Sequence, residues 1–166
     1  MRKALLALLF AIGVVAPSLS AGWLPLFISS GGLVNLLVSP NDITNAAWMV
    51  DAPTYISVTG PNAFTVLSPG NYNNQGIEQE ADAASGHTIV GKVTLSGTVG
   101  GTITFIFRNT VSTSTTHVTL SATPTQYVIN DTTTGTSPGL KLYSSGTNGD
   151  TATSIVCSNF IMALTN

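Results

Sequence analysis

Alternation with a period of two dominates the second half of this chain. In Thr102-Ile103-Thr104-Phe105-Ile106-Phe107-Arg108 the bulky residues Ile103, Phe105 and Phe107 fall on every second position. Val93 and Leu95 do the same within Lys92–Ser96, as do Val118 with Leu120, Tyr127 with Ile129, and Leu140 with Leu142 on either side of Lys141. Successive side chains of a strand point to opposite faces, so the pattern predicts strands with one face in a core. Lys92–Ser96 and Thr102–Arg108, joined through Gly100-Gly101, read as a central hairpin.

The apolar stretches are short and divided by turn chemistry. Thr59-Gly60-Pro61-Asn62, Ser68-Pro69-Gly70-Asn71, Ala122-Thr123-Pro124 and the Thr-, Gly- and Ser-rich segments Asp131–Gly139 and Ser144–Asp150 interrupt the chain. Pro presets φ in such clusters, Gly supplies positive φ, and Asn or Asp hydrogen-bonds nearby backbone. Between them, Tyr55–Val58 and Ala63–Leu67 read as strands and Gly76–Glu80 as a strand edge. No segment after Asn35 carries a helical repeat. About ten short strands separated by turns predict an all-β, antiparallel sandwich.

The folded part is expected to open at Asn35-Leu36-Leu37-Val38, read as a first strand stopped by the turn Ser39-Pro40-Asn41-Asp42. Trp48 follows, an indole that a small β domain buries as a core plug. The closing run Ile155–Leu164 is apolar without clean alternation, which fits a strand covered on both faces or bent by a bulge. From Leu33 onward the chain is long enough to bury roughly two-thirds of its unfolded surface, without disulfides or a metal.

Chemistry-bearing residues are sparse. Cys157 is the single cysteine, which excludes an internal disulfide and a Cys-based zinc site and reads as a buried, inert thiol. His87 and His117 stand far apart, with no metal-ligand spacing. Glu78 and Glu80 share a strand face, side by side, where glycosidase carboxylates must flank a scissile bond. Asp42, Asp51, Asp82, Asp131 and Asp150 are read as turn residues, and no calcium loop, nucleophile elbow or phosphate-cradling loop occurs. The expectation is a protein that is not an enzyme and uses no cofactor. Of five basic residues, Arg2 and Lys3 lie in the leader, leaving three against seven acidic ones and a net of −4. Without a Lys or Arg cluster, nucleic-acid binding is excluded as an expectation.

Residues 1–32 differ in character from the rest and are read as a separate leader, with 33–166 as the domain. Met1-Arg2-Lys3, an apolar stretch from Ala4 to Ala16 and small residues to Ala21 have the layout of a secretory signal peptide, with Ser18 and Ser20 suiting cleavage after Ser20. The alternative is a retained docking arm using Leu5, Leu8, Leu9, Phe10, Trp23, Leu24 and Phe27, ending in the flexible joint Ser29-Ser30-Gly31-Gly32. Both remain open at this point.

The opening N-L-L, a turn and then Asn45-Ala46-Ala47-Trp48 resembles the start of the jelly-roll, carbohydrate-binding-like modules of phage virion and tail-fibre proteins. The likeness extends loosely through Gly86-His87-Thr88-Ile89-Val90 and Val118-Thr119-Leu120 before Gln126-Tyr127. It implies a jelly-roll sandwich and a non-enzymatic structural protein of the virion surface, as capsid decoration or tail fibre. Such a protein would meet other virion proteins through its apolar arm and assemble as a homo-oligomer. The alternative reading is a secreted carbohydrate-binding module or adhesin. For it, the amide-rich loop Tyr72-Asn73-Asn74 could bond sugar hydroxyls, with Tyr72, Tyr143 or Trp23 as stacking platforms, and the partner would be a cell-surface glycan.

Overall fold

A computed structural model describes residues 33–71 and 75–165. Among the described residues, ten strands run in chain order: β1 (Met49–Asp51), β2 (Ile56–Gly60), β3 (Ala63–Val66), β4 (Gln75–Glu80), β5 (Thr88–Gly97), β6 (Thr102–Arg108), β7 (Thr115–Thr119), β8 (Thr125–Thr132), β9 (Gly139–Ser144) and β10 (Ser154–Thr165). They form two five-stranded sheets, a front sheet ordered β1-β4-β9-β6-β7 and a back sheet ordered β2-β3-β10-β5-β8. Every pairing is antiparallel. The all-β antiparallel sandwich expected from the alternation is the fold observed, in the jelly-roll form that the resemblance implies.

The inward faces meet in one core. Ile77, Leu140, Leu142, Ile103, Phe105, Phe107 and Val118 come from the front sheet, and Phe64, Ile89, Val93, Leu95, Ile155 and Met162 from the back. Trp48 plugs one end as expected, its ring 4.7 Å from that of Phe160 and tilted by 53°. Its indole Nε1 donates to the Ser39 carbonyl at 3.1 Å. A buried indole N–H without a partner would cost about 1–3 kcal/mol, so this bond lets the plug be apolar and satisfied at once. Cys157 is buried in the same core, where removal from water pushes its thiol up to about 12.

Three strand readings need correction. Lys92–Ser96 and Thr102–Arg108 are not a hairpin: β5 pairs with β8 and β10, while β6 pairs with β7 and β9. The two share a period but face each other across the core, because the link between them turns a corner from sheet to sheet. Gly97 permits the corner, since a Cβ there would lie 2.1 Å from the Ser154 carbonyl oxygen. Gly76–Glu80 is not an edge; β4 lies between β1 and β9, and the edge is the short β1. Asn35–Val38 forms no strand. There the side chain of Asn35 does a strand's work, donating to the Phe160 carbonyl at 2.7 Å and accepting from the Met162 N–H at 3.0 Å. The Leu36 N–H adds a bond to the Met162 carbonyl at 2.7 Å.

That clasp sits where β10 is irregular. The register of β10 against β5 shifts between Ser158 and Ile161, and Asn159 has a φ of 53°. The expected bulge is therefore present, and the Asn159 N–H donates to Asn41 Oδ1 at 2.8 Å. An extra residue in one strand breaks the ladder locally, and Asn35 and Asn41 supply the lost partners.

Candidate functional site

Because Ile103, Phe105, Phe107, Leu140 and Leu142 point inward, the residues between them stand on the outer face of the front sheet. The registers place them in rows across the strands. One row runs Met49, Glu78, Lys141, Ile106, Thr115, and the next runs Asp51, Gly76, Tyr143, Thr104, His117. Tyr143 stands near the middle, packed over Gly76, where a Cβ would lie 2.5 Å from the Tyr143 Cβ. Glycine at this position lets β4 and β9 close beneath the aromatic ring.

Two segments rise beside this floor and make a groove. One wall is the β6–β7 loop with Asn109 and Thr113, both at positive φ (57° and 48°). Asp131 fixes that loop: its carboxylate accepts from the N–H of Ser114 at 2.8 Å and from the Ser112 hydroxyl at 2.9 Å. Burial acts to raise the Asp131 carboxyl, but the backbone N–H groups of Ser114 and Thr132 and nearby hydroxyls outweigh it and hold the group well below the usual range. The other wall is the segment after β9. Buried Asp150 pins it, accepting from the Thr104 hydroxyl at 2.8 Å and from the Ser145 N–H at 2.7 Å. Asn148 Nδ2 donates to the same Thr104 hydroxyl at 3.0 Å. His117 Nδ1 lies 3.5 Å from the other Asp150 oxygen.

The groove has two unlike halves that share Ile106, Thr113 and Tyr143. The larger, about 590 Å³, is completed by Thr115, Ser145, Thr147 and Asn148, all uncharged. The smaller, about 210 Å³, is completed by Arg108, Asn109 and Lys141. Beneath the smaller half lies an ionic cluster. Arg108 Nη1 donates to Glu78 Oε2 at 2.8 Å, and Lys141 Nζ lies 3.7 Å from the same oxygen while also pairing closely with Asp51. The hydrogen bond to Glu78, and then its charge, raise the Arg108 guanidinium above its ordinary value. Lys141 Nζ also sits 5.2 Å from the centre of the Tyr143 ring. Glu78 and Glu80, expected side by side, differ sharply: Glu78 is fully buried under these cations and Glu80 is exposed.

Of the sequence-derived site candidates, Tyr143 lines this groove. Tyr72, Asn73 and Asn74 lie outside the described residues, as do Leu5, Leu8, Leu9, Phe10, Trp23, Leu24 and Phe27. Asp51 and Asp131, read as turn residues, are instead strand residues of β1 and β8. Asp42 does cap its own turn, accepting from the Thr44 N–H at 3.0 Å. Arg108, Lys141 and Ile106 were missed as site residues. Their signal is an outward position within an alternating strand, and in Ile106 an apolar residue where the pattern calls for a polar one.

No protein-family model matches the chain, and no curated protein matches it in sequence. Solved structures do match. A structure described as "CBM4 structure and function" superposes with a TM-score of 0.59 at 16% identity, covering 75% of this chain and 92% of that one. TmCBM61 in complex with β-1,4-galactotriose gives 0.51 at 13%, covering 79% and 99%. The enzymatically active domain of tailspike protein 4 from bacteriophage CBA120 gives 0.54 at 12%, covering 79% of this chain but 21% of the tailspike. The fold is thus the jelly-roll sandwich found in carbohydrate-binding modules.

Proposed function

We propose that this chain is a carbohydrate-binding module without catalytic activity, which holds one glycan chain in the front-sheet groove. The observation that carries the proposal is Tyr143, an aromatic ring on the floor of a groove whose larger half is walled by hydroxyls and an amide. A pyranose has apolar faces and a hydroxyl rim, so an aromatic platform ringed by neutral hydrogen-bonding groups matches both. The walls favour a single chain over a flat crystalline surface. The likeness of the fold to carbohydrate-binding modules supports the reading, and the signal-like leader suits a protein that works outside the cell.

Glycan-array screening followed by calorimetry tests it. Tyr143→Ala is expected to weaken binding at least tenfold, about 1.4 kcal/mol, with the melting temperature little changed. Absence of binding above background across neutral and acidic glycans would refute the proposal.

A second reading places the same module on a phage particle, held by residues 1–32 and assembled as a homo-oligomer. The tailspike likeness favours it, and it is compatible with glycan binding. Mass spectrometry of purified particles tests it, and particle-borne protein lacking residues 4–30 would remove the arm from the scheme.

A further inference from the structure

We propose that the smaller half of the groove receives the carboxylate of a uronic-acid unit, so that the ligand is a mostly neutral glycan carrying isolated acidic sugars. This rests on the groove being a glycan site and adds the class of glycan.

The distribution of charge carries the inference. The described residues hold three cationic side chains, Lys92, Arg108 and Lys141, and two of the three border one recess beside Tyr143. Lys92 is on the back sheet. The recess is lined by Ile106, Arg108, Asn109, Thr113, Lys141 and Tyr143, with no carboxylate among them. The acid that pairs with Arg108 lies underneath, since the Glu78 side chain is 1% exposed and the Arg108 side chain 48%. A guanidinium carries five N–H donors in a planar fork, and Nη1 is the nitrogen bound to Glu78. Its remaining donors belong to a half-exposed group at the rim of the recess, in the geometry that takes a carboxylate through two parallel bonds.

The surroundings limit how much negative charge is welcome. Glu78 and Asp51 offset Arg108 and Lys141, Glu80 adds to the negative side of the Arg108 environment, and the chain from Leu33 onward has a net charge of −4. A single carboxylate is held by directed hydrogen bonds, whereas the further carboxylates of a polyuronate find no cationic partner along the uncharged larger half and meet the net negative charge of the chain. The uncharged larger half, with Thr115, Ser145, Thr147 and Asn148, suits neutral sugars on either side of the acidic unit. Selectivity by hydrogen bonds in place of net field also predicts a shallow dependence on salt.

The test is calorimetry on the full chain with matched probes: neutral oligosaccharides bearing one uronate, the same oligosaccharides after carboxyl reduction, their sulfate-ester counterparts, and a homopolyuronate. The singly acidic form is expected to bind at least tenfold tighter than its reduced partner and tighter than the polyuronate. Arg108→Gln should bring its affinity down to that of the reduced form. Arg108→Lys, which keeps a charge over Glu78 but loses the fork, should remove most of the preference. Thermal melts of both variants identify a folding failure, and the matched probes on the unmodified chain decide the question regardless. Equal or tighter binding of the reduced form overturns the uronate inference and leaves the glycan reading standing, as does tighter binding of the sulfate ester. No binding of any probe overturns both.

Discussion

Gly76→Ala is the most informative single change, because it strikes the fold and the groove at one point. A Cβ at residue 76 would lie 2.2 Å from the Leu142 carbonyl oxygen and 2.6 Å from the Tyr143 Cα. These are backbone atoms, so no side-chain rotation relieves the clash and β4 must move away from β9. Both strands are interior to the front sheet and pair over Gln75–Glu80 with Gly139–Ser144, which transmits the movement to the ladder on either side. Overpacking of this kind costs about 1–3 kcal/mol, and two weakened ladder bonds add about 1–2 kcal/mol. Restriction of the unfolded chain returns about 0.4–1 kcal/mol, leaving a net loss of roughly 1–4.5 kcal/mol. For a domain of this size that corresponds to a fall in melting temperature of roughly 4–16 °C. Gly135→Ala is the control, since a Cβ there meets nothing within 4 Å, and its effect should stay within about 1 kcal/mol. Scanning calorimetry measures both variants. A Gly76→Ala protein melting within a degree of the parent would refute the close β4–β9 approach on which the groove floor depends.

Removing the plug by Trp48→Ala should cost about 3–5 kcal/mol in urea titrations, and Trp48→Phe distinctly less, because Phe keeps the ring contact with Phe160 but abandons the Ser39 bond. Asp131→Asn should destabilise the β6–β7 wall at neutral pH. Since the folded carboxyl lies below its ordinary 3.8, its contribution is present above that value and is lost as pH falls through the folded one. The gap between parent and Asp131→Asn in denaturant midpoint should therefore narrow below about pH 4, and equal gaps at pH 7 and pH 2 would contradict the assignment.

Period-two alternation made β6 readable because its inward face is wholly apolar: Ile103, Phe105 and Phe107 could hardly be placed otherwise, whereas β4, which buries Gln75 and Gln79 beside Ile77, gave a weaker signal. Trp48 was readable for a similar reason, a large ring in a chain with few. Alternation, however, reports which residues point inward and not which sheet they point from. Hence β5 and β6, identical in period, were joined as a hairpin when they oppose each other across the core. Asn35–Val38 was misread because its apolar run is held by a side-chain amide, and such mimicry of a strand leaves no periodic trace. In the site, Tyr143 was readable as a stacking candidate because the chain has few aromatic rings, and the structure leaves it half-buried on the groove floor. Arg108 and Lys141 did not, since they are more than thirty positions apart in sequence and become neighbours only through the β6–β9 register, which places Lys141 opposite Ile106 and Gly139 opposite Arg108. Asp131 looked like one more turn residue until its partners on the β6–β7 loop were visible.

The Asn35 clasp also keeps the start of the described chain apart from the groove. It fastens the start of the described chain to β10, in the middle of the back sheet, whereas the groove opens on the far side of the front sheet. The start of the described chain is thus held on the sheet opposite the one that carries the groove, so loosening the clasp, as in Asn35→Ala, strikes β10 and the back sheet first and leaves the groove floor of β4, β9 and β6 in place.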